Sequence, residues 1–194
     1  MRDNKTKTKL QQNQPVFGVI SGVTDPKIAE LLGLSGFDYY MMDAEHGPIT
    51  PPQAVNIVRA CEAVGVTPLA RVSLKDAKAI LPYLDAGVMG IMMPGVETAV
   101  DIESLVAAIK YPPSGQRGLG LSRASDYMMG RWSQAEYIAW ANEHTLVLPQ
   151  FEDVAVLGKL AAMTAVSGVD GFVIGPRDLA LCMGFADGAN HPEV

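Results

Sequence analysis

Residues 37–65, FDYYMMDAEHGPITPPQAVNIVRACEAVG, hold the pattern that decides the fold. Residues 37–44 are almost continuously apolar, as in a parallel-sheet strand that is buried on both faces. From Thr50 to Gly65 apolar residues recur at helical spacing, with Thr-Pro-Pro at the start and glycine at the end. A buried strand followed by such a helix is the repeating unit of an α/β sheet.

This unit recurs along the chain. Predicted strands cover 16–20, 37–44, 67–73, 88–96, 146–152 and a segment that starts at Val169. A doubly wound dinucleotide fold would need G-x-G-x-x-G directly after the first strand, and VISGVTD (19–25) does not supply it. We therefore predict an α/β fold, a (β/α)8 TIM barrel, over residues 15–194. Because a full barrel takes about 250 residues, we expect the last two βα units to be lacking in this chain.

The composition argues against several kinds of partner. The 194 residues carry a net charge of −6 and a pI of about 5.0, which favours neither nucleic acid nor an anionic membrane. No apolar run is long enough to span a bilayer. Residues 1–14, MRDNKTKTKLQQNQ, have no apolar segment behind their charges, so we expect a flexible tail and no secretory signal. Cys61 and Cys182 lack metal-ligand spacing, and we expect buried free thiols in a cytoplasmic protein.

Polar side chains stand at the carboxyl ends of four predicted strands. His46 follows the second strand, Arg71 lies in the third, Glu152 follows the fifth and Asp178 follows the sixth. Taken singly, each has a structural explanation as a turn histidine, an ion-pair partner or a helix-capping acid. In a barrel the carboxyl ends of all strands meet on one face, where active sites lie. The four residues together therefore predict a reaction site.

The residue types point to metal-assisted chemistry. Glu152 and Asp178 bring two carboxylates without Cys or His, which suits a hard cation such as Mg²⁺ or Mn²⁺. Gln150 lies on the same side of its strand as Glu152 and can add a hydrogen bond. Arg71 offers a cation to a carboxylate or a developing enolate. His46 can act as a base near neutral pH.

The sequence also bears on the partner of the base and on whether a lysine could form a Schiff base with the substrate. Asp43 and Asp85 are both candidates for the carboxylate that orients His46. A Schiff-base mechanism is disfavoured because it needs a lysine inside the barrel. Lys75 comes closest, and we predict it in the loop before a helix. The other lysines fall in the tail, helices or adjoining turns, at positions 5, 7, 9, 27, 78, 110 and 159.

From about Phe17 to the last residue, the chain resembles the HpcH/HpaI aldolase family. The segments that carry the resemblance are, in order, FDYYMMDAEHGP, PLARV, YLDAGVMGIMMPGVETA, YPPSGQRGLG, LPQFE, GVDGFVIGPRDLALCMG and HPEV. The resemblance implies a barrel of the phosphoenolpyruvate/pyruvate type and a class II, metal-dependent lyase. Such a lyase cleaves a 4-hydroxy-2-oxo acid reversibly into pyruvate and an aldehyde, in the catabolism of aromatic compounds or sugar acids.

The resemblance also implies residue roles. It makes His46 the base, Arg71 the group that stabilises the transition state and binds substrate, and Asp85 the acid that raises the basicity of the base. It assigns a divalent cation (Mg²⁺, Mn²⁺ or Co²⁺) to Glu152 and Asp178. It further implies a homo-hexamer whose last helix is exchanged between subunits.

Two positions are implied as substrate contacts, together with Asp178. Gln150 is one, and Arg177 is the other, at a position that touches substrate mainly through its backbone. The Arg177 side chain either points inward to read a second carboxylate or block the aldehyde pocket, or points outward.

Two alternatives to the aldolase are open. A CoA-ester lyase or another enolate-forming enzyme of the same superfamily would need an anion site, for which SGQRGLG (114–120) is the candidate segment. A truncated, non-catalytic paralogue that only associates with full-length subunits is the other alternative.

Overall fold

The computed structural model describes residues 2–72 and 76–194. Six strands form a single parallel sheet in which each strand pairs with the next along the chain. The strands are β1 (Gly18–Ser21), β2 (Tyr39–Asp43), β3 (Thr67–Arg71), β4 (Gly90–Met93), β5 (Leu146–Phe151) and β6 (Val173–Ile174). This strand order confirms the (β/α) barrel type of sheet, although every strand is shorter than the sequence predicts.

Helices follow the strands as the sequence predicts, and one further helix, α1, precedes β1. They are α1 (Lys5–Gln11), α2 (Lys27–Leu34), α3 (Pro51–Val64), α4 (Ala77–Ala86), α5 (Ala99–Ile109), α6 (Gln134–His144), α7 (Leu160–Thr164) and α8 (Pro176–Cys182). Two 3₁₀ segments, Arg123–Met128 and Val154–Lys159, complete the connections. At the end of α3, Gly65 adopts the left-handed conformation (φ 78°) that glycine tolerates best.

The two faces of the sheet pack against different cores. Tyr40, Met42 and Ile91 belong to the large cluster shared with the helices. On the opposite face a separate cluster fills the interior of the sheet, made by Met41, Leu69, Met92, Leu146 and Leu148. Because side chains alternate along a strand, the interior face of β2 continues from Met41 to Asp43, and that of β3 from Leu69 to Arg71. The carboxyl ends of the strands therefore place polar groups above an apolar interior layer.

The expected flexible tail at residues 1–14 is wrong, because Lys5–Gln11 forms helix α1 against the amino ends of the strands. The Asn4 Nδ2 donates hydrogen bonds to the backbone oxygens of Met89 (3.0 Å) and His144 (2.7 Å). These residues immediately precede β4 and the β5 region. Polar contacts, such as these hydrogen bonds to the backbone, hold the helix in place. Because the helix has no apolar face, hydrophobic periodicity could not predict it.

Other contacts of α1 extend across the same end of the sheet. Thr6 Oγ1 bonds to Thr67 Oγ1 at 2.8 Å, and Lys7 Nζ pairs with Asp170 Oδ1 at 2.7 Å. Lys9 pairs with Asp38, just before β2. The N-terminal segment thus covers the amino ends of β2 through β6.

Cys61 is buried as expected, but Cys182 is exposed. Ser73, the expected end of the third strand, and Lys75 lie outside the described residues. In the described part of the chain, no helix combines the length and the apolar character needed to cross a bilayer.

Candidate active site

Asp43, the last residue of β2, shapes the turn that carries His46. Its Oδ1 accepts the backbone N–H groups of Glu45 and His46, both at 3.1 Å. A Cβ on Gly47 would meet the Asp43 carbonyl oxygen at 2.3 Å, so this turn requires glycine. The strand therefore ends in a tight turn that leaves the His46 side chain 65% exposed at the rim.

Arg71 ends β3 directly opposite Asp43 in the strand register. Its Nε and Nη2 donate to Asp43 Oδ1 and Oδ2 at 3.1 and 2.7 Å, a bidentate pair that fixes the plane of the guanidinium. Burial opposes ionisation of Asp43, but the hydrogen bonds and charge of Arg71, together with the backbone N–H groups of His46 and Glu45, outweigh it and hold the pKa of this carboxyl below its usual value. Both side chains are therefore charged at neutral pH.

Glu45 connects the arginine to the histidine. Its Oε2 lies 3.2 Å from Arg71 Nε and 3.8 Å from His46 Nε2. This oxygen is buried and accepts no hydrogen bond among the described residues. Glu45 is thus a carboxylate within ion-pair distance of both predicted catalytic side chains.

The end of β5 supplies the predicted metal ligand. Glu152 Oε2 accepts the backbone N–H of Gly95 at 2.9 Å. Gln150 is 4% exposed, and its Oε1 has no donor among the described residues. A Cβ on Gly175 would come within 2.6 Å of Gln150 Nε2 and 2.7 Å of Glu152 Oε1. Gly175 therefore packs its bare backbone against both side chains.

Charged groups at the strand ends affect the ionisation of Glu152. Burial raises the pKa of Glu152, and the charges of Asp178 and Glu45 raise it further, while the Gly95 N–H and Arg71 oppose the change. Asp178 lies in the first turn of α8. Groups from β2, β3, β5 and α8 thus act on one another at the carboxyl end of the sheet.

The donor set at this end fits a hard divalent cation. Two carboxylates are close enough for one to raise the pKa of the other, and a buried amide oxygen beside them lacks a donor. A cation would relieve both conditions, and oxygen-only donors favour Mg²⁺ or Mn²⁺. Within residues 2–72 and 76–194, no three His, Cys, Asp or Glu side chains form a metal-binding group.

Neither of the two aspartates that were candidates to orient His46, Asp43 and Asp85, contacts its imidazole ring. Asp85 lies in the last turn of α4, shortly before β4 begins, and its Oδ1 accepts from Arg117 Nη2 at 3.1 Å. Helix α4 returns the chain to the amino end of the sheet, so the expected pairing of Asp85 with His46 does not form within one chain. Asp43 does not orient the imidazole either, because its contact with His46 is to the backbone.

Arg177 is exposed in the first turn of α8, and its side chain forms no ion pair or hydrogen bond with any other described residue. Gly95 and Gly175 were not predicted as parts of the site, and Glu45 was given no role in it. The sequence signal for Glu45 was its place beside His46, and that for Gly175 its place before Pro-Arg-Asp. Nothing in the sequence pointed to Gly95.

Comparisons with known proteins agree with this geometry. Residues 17–194 match the profile of the HpcH/HpaI aldolase/citrate lyase family. A hydroxypyruvate/pyruvate aldolase of Pseudomonas aeruginosa is 38% identical over 98% of this chain and 70% of its own length. A 4-hydroxy-2-oxo-heptane-1,7-dioate aldolase of Salmonella typhimurium is 37% identical over 98% of this chain and 72% of its own length.

A solved structure shows the same fold. The HpcH/HpaI aldolase from Desulfitobacterium hafniense superposes with a TM-score of 0.90 at 32% identity, over 97% of this chain and 72% of that protein. The fold, the order of the motifs and these likenesses lead to one conclusion. The chain belongs to the HpcH/HpaI aldolase/citrate lyase family.

Proposed function

We propose that this chain is a divalent-metal-dependent aldehyde-lyase, a class II aldolase that reversibly cleaves a 4-hydroxy-2-oxo acid into pyruvate and an aldehyde. The observation that carries the proposal is the convergence of the Arg71–Asp43 pair with Glu152 and Asp178 at one end of the sheet. The relatives named as pyruvate and hydroxy-oxo acid aldolases support the same reaction class.

Glu152 and Asp178 would hold the cation, with Gln150 beside them. When bound, the cation supplies Lewis acidity that stabilises negative charge on the 2-oxygen of the substrate. Burial, and then the charges of Asp178 and Glu45, raise the pKa of Glu152, and a bound cation would favour its ionised form. We include Mg²⁺, Mn²⁺ and Co²⁺ in the proposal.

In the cleavage direction, His46 takes the proton from the 4-hydroxyl group, directly or through a water. The oxygen then forms the aldehyde carbonyl as the C3–C4 bond breaks, and the electron pair of that bond passes into the enolate of pyruvate. Arg71 faces this growing negative charge with a guanidinium that Asp43 has already oriented. Proton return to C3 gives pyruvate.

The remaining predicted residues have secondary roles in the proposal. Gln150 is a buried amide that can bond to the oxo acid. Arg177, exposed next to Asp178, would meet a distal carboxylate of a longer substrate if its side chain turns inward. For Asp85 to raise the basicity of His46, it would have to come from a neighbouring copy of the chain in a cytoplasmic homo-oligomer.

The test is the aldol reaction itself. The chain is incubated with pyruvate, a short aldehyde and Mn²⁺, and the 4-hydroxy-2-oxo acid is measured by chromatography. We expect product with Mn²⁺ and none with EDTA. Product that forms equally well in EDTA would overturn the metal-dependent mechanism, and no product from a folded, metal-loaded chain with a panel of aldehydes would overturn the aldolase assignment.

A further inference from the structure

A cavity of about 390 Å³ lies at the amino end of the sheet, opposite the candidate active site. Met89 and Thr145, which immediately precede β4 and β5, form part of its wall. Tyr137 and Trp140 of α6 form another part, with their rings stacked 6.3 Å apart. The volume lies within the range of sites for small molecules.

The charges around this cavity are mainly positive, although the whole chain carries −6. Four arginines line it, at positions 2, 59, 117 and 123, against the carboxylates of Glu62 and Asp126. Glu62 is shared, because it pairs with both Arg2 and Arg123. The Arg59 side chain is exposed, and its hydrogen bond in the described part of the chain goes to the neutral Asn56 amide at 3.4 Å. Guanidinium groups therefore outnumber carboxylates here.

Arg117, which also lines the cavity, has an unsatisfied hydrogen-bond donor. Its side chain is 3% exposed, with Nη2 bonded to Asp85 and the guanidinium carbon 4.6 Å from the centre of the Tyr111 ring. Its Nε is buried and finds no acceptor among the described residues. Leaving a buried donor unpaired is costly, so such a group indicates a missing partner.

We propose that this cavity binds a small phosphate-bearing molecule. A phosphate directs its oxygens to several sides, which suits guanidinium groups that approach from three parts of the chain, and arginine bonds phosphate with two parallel donors. The aromatic wall of Tyr137 and Trp140 would contact the rest of the molecule. None of the residues that line this cavity belongs to the carboxyl end of the sheet, and Arg117 is linked to the proposed aldolase residues through its bond to Asp85.

Inorganic phosphate is the probe, titrated into the full chain and followed by calorimetry and by tryptophan fluorescence, since Trp140 lines the cavity. The protein is kept in EDTA so that no metal draws phosphate to Glu152 and Asp178. We expect one phosphate per chain, with affinity about tenfold weaker in Arg59→Ala, as for the loss of a charged hydrogen bond. Arg59 is exposed, so this variant should fold.

Two control variants make the test specific. Arg131→Ala removes another exposed arginine and should leave phosphate binding unchanged. Arg71→Ala alters the candidate active site and should also leave it unchanged. The proposal is overturned if millimolar phosphate does not bind, if Arg131→Ala weakens binding as much as Arg59→Ala, or if only Arg71→Ala weakens it. Tighter binding of succinate than of phosphate would also overturn it, because the cavity would then select carboxylates.

Discussion

Arg71 is the residue on which the proposed chemistry depends most. It ends β3, it is held by both oxygens of Asp43, and it lies 3.2 Å from Glu45. Burial works against its charge, but Asp43, Glu45 and Glu152 more than compensate and raise the pKa of the guanidinium. A fixed cation in this position can stabilise negative charge without having to reorient during the reaction.

Two replacements of Arg71 should therefore separate the effect of its charge from the effect of its bidentate hydrogen bonds. We expect Arg71→Ala to lower the aldol rate by about 100-fold or more, the range seen when a preorganised donor is removed. Arg71→Lys keeps the charge but loses the bidentate bond to Asp43, so its rate should lie between those of Arg71→Ala and the unaltered chain. Steady-state kinetics on variants checked for folding by circular dichroism measures both. Equal rates for Arg71→Ala and the unaltered chain would remove Arg71 from the mechanism.

Gly175 packs against two of the proposed site residues, Gln150 and Glu152. Its φ of −99° is open to any residue, so an added methyl group acts through contact with Gln150 and Glu152 and not through backbone strain. We expect Gly175→Ala to weaken Mn²⁺ binding about tenfold and to lower the free energy of unfolding by about 1–3 kcal/mol. Calorimetry and urea unfolding measure the two effects. The matched control is Gly158→Ala, where a Cβ meets nothing within 4 Å; similar effects in both variants would contradict the packing argument.

Individual site residues were predictable to different degrees. The location of His46, Arg71, Glu152 and Asp178 at one end of the sheet was predictable, because polar residues at the carboxyl ends of parallel strands share one face. The contacts of Asp85 were not, because they depend on where α4 ends in space and on Arg117, 32 residues away. The choice between Asp43 and Asp85 as partner of His46 could not be made from spacing, and within one chain neither contacts the imidazole.

Among the secondary-structure elements, α1 departs most from expectation. Its sequence KTKTKLQ has no apolar stripe, so hydrophobic periodicity could not identify it. Its stability comes from hydrogen bonds and ion pairs to the strand ends, and Asn4 caps its first turn by accepting from the Lys7 N–H. By contrast, α3 was predictable because Thr-Pro-Pro and Gly65 mark its two ends.

The contact between α1 and β2 should make stability depend on pH. Burial opposes ionisation of Asp38, but the Lys9 ammonium and the Phe17 N–H outweigh it, so the folded pKa of Asp38 lies below its usual 3.8. A lowered pKa stabilises the folded state above the unfolded value, and this stabilisation is lost as pH falls through the folded value. We expect Asp38→Asn to lower the free energy of unfolding at pH 7 by about 1 kcal/mol, with a smaller difference in acid below the usual pKa.

Urea unfolding of both proteins at neutral pH and at acid pH measures that difference. The matched control is Asp187→Asn, at an exposed position near the end of the chain. A difference for Asp38→Asn that stays constant with pH would show that the charge of Asp38 does not tie α1 to the sheet.

In the whole molecule the two ends of the sheet differ in role. The carboxyl end gathers Asp43, Arg71, Gln150 and Glu152 on its interior face. The amino end is covered by α1 and holds the arginine-lined cavity. The sheet was predictable because each strand is a short apolar run followed by a capped helix. The amino end was not, because its contacts join polar residues from distant parts of the chain.

Deuterium exchange into the methyl group of pyruvate, followed by NMR, tests for the proposed metal-stabilised enolate, because it requires enolate formation and no aldehyde. We expect exchange with Mg²⁺, none with EDTA, and a rate of exchange lower by about 100-fold or more in Arg71→Ala. Absence of exchange from the folded, Mg²⁺-loaded chain would contradict the proposal, and so would exchange that persists at the same rate in EDTA.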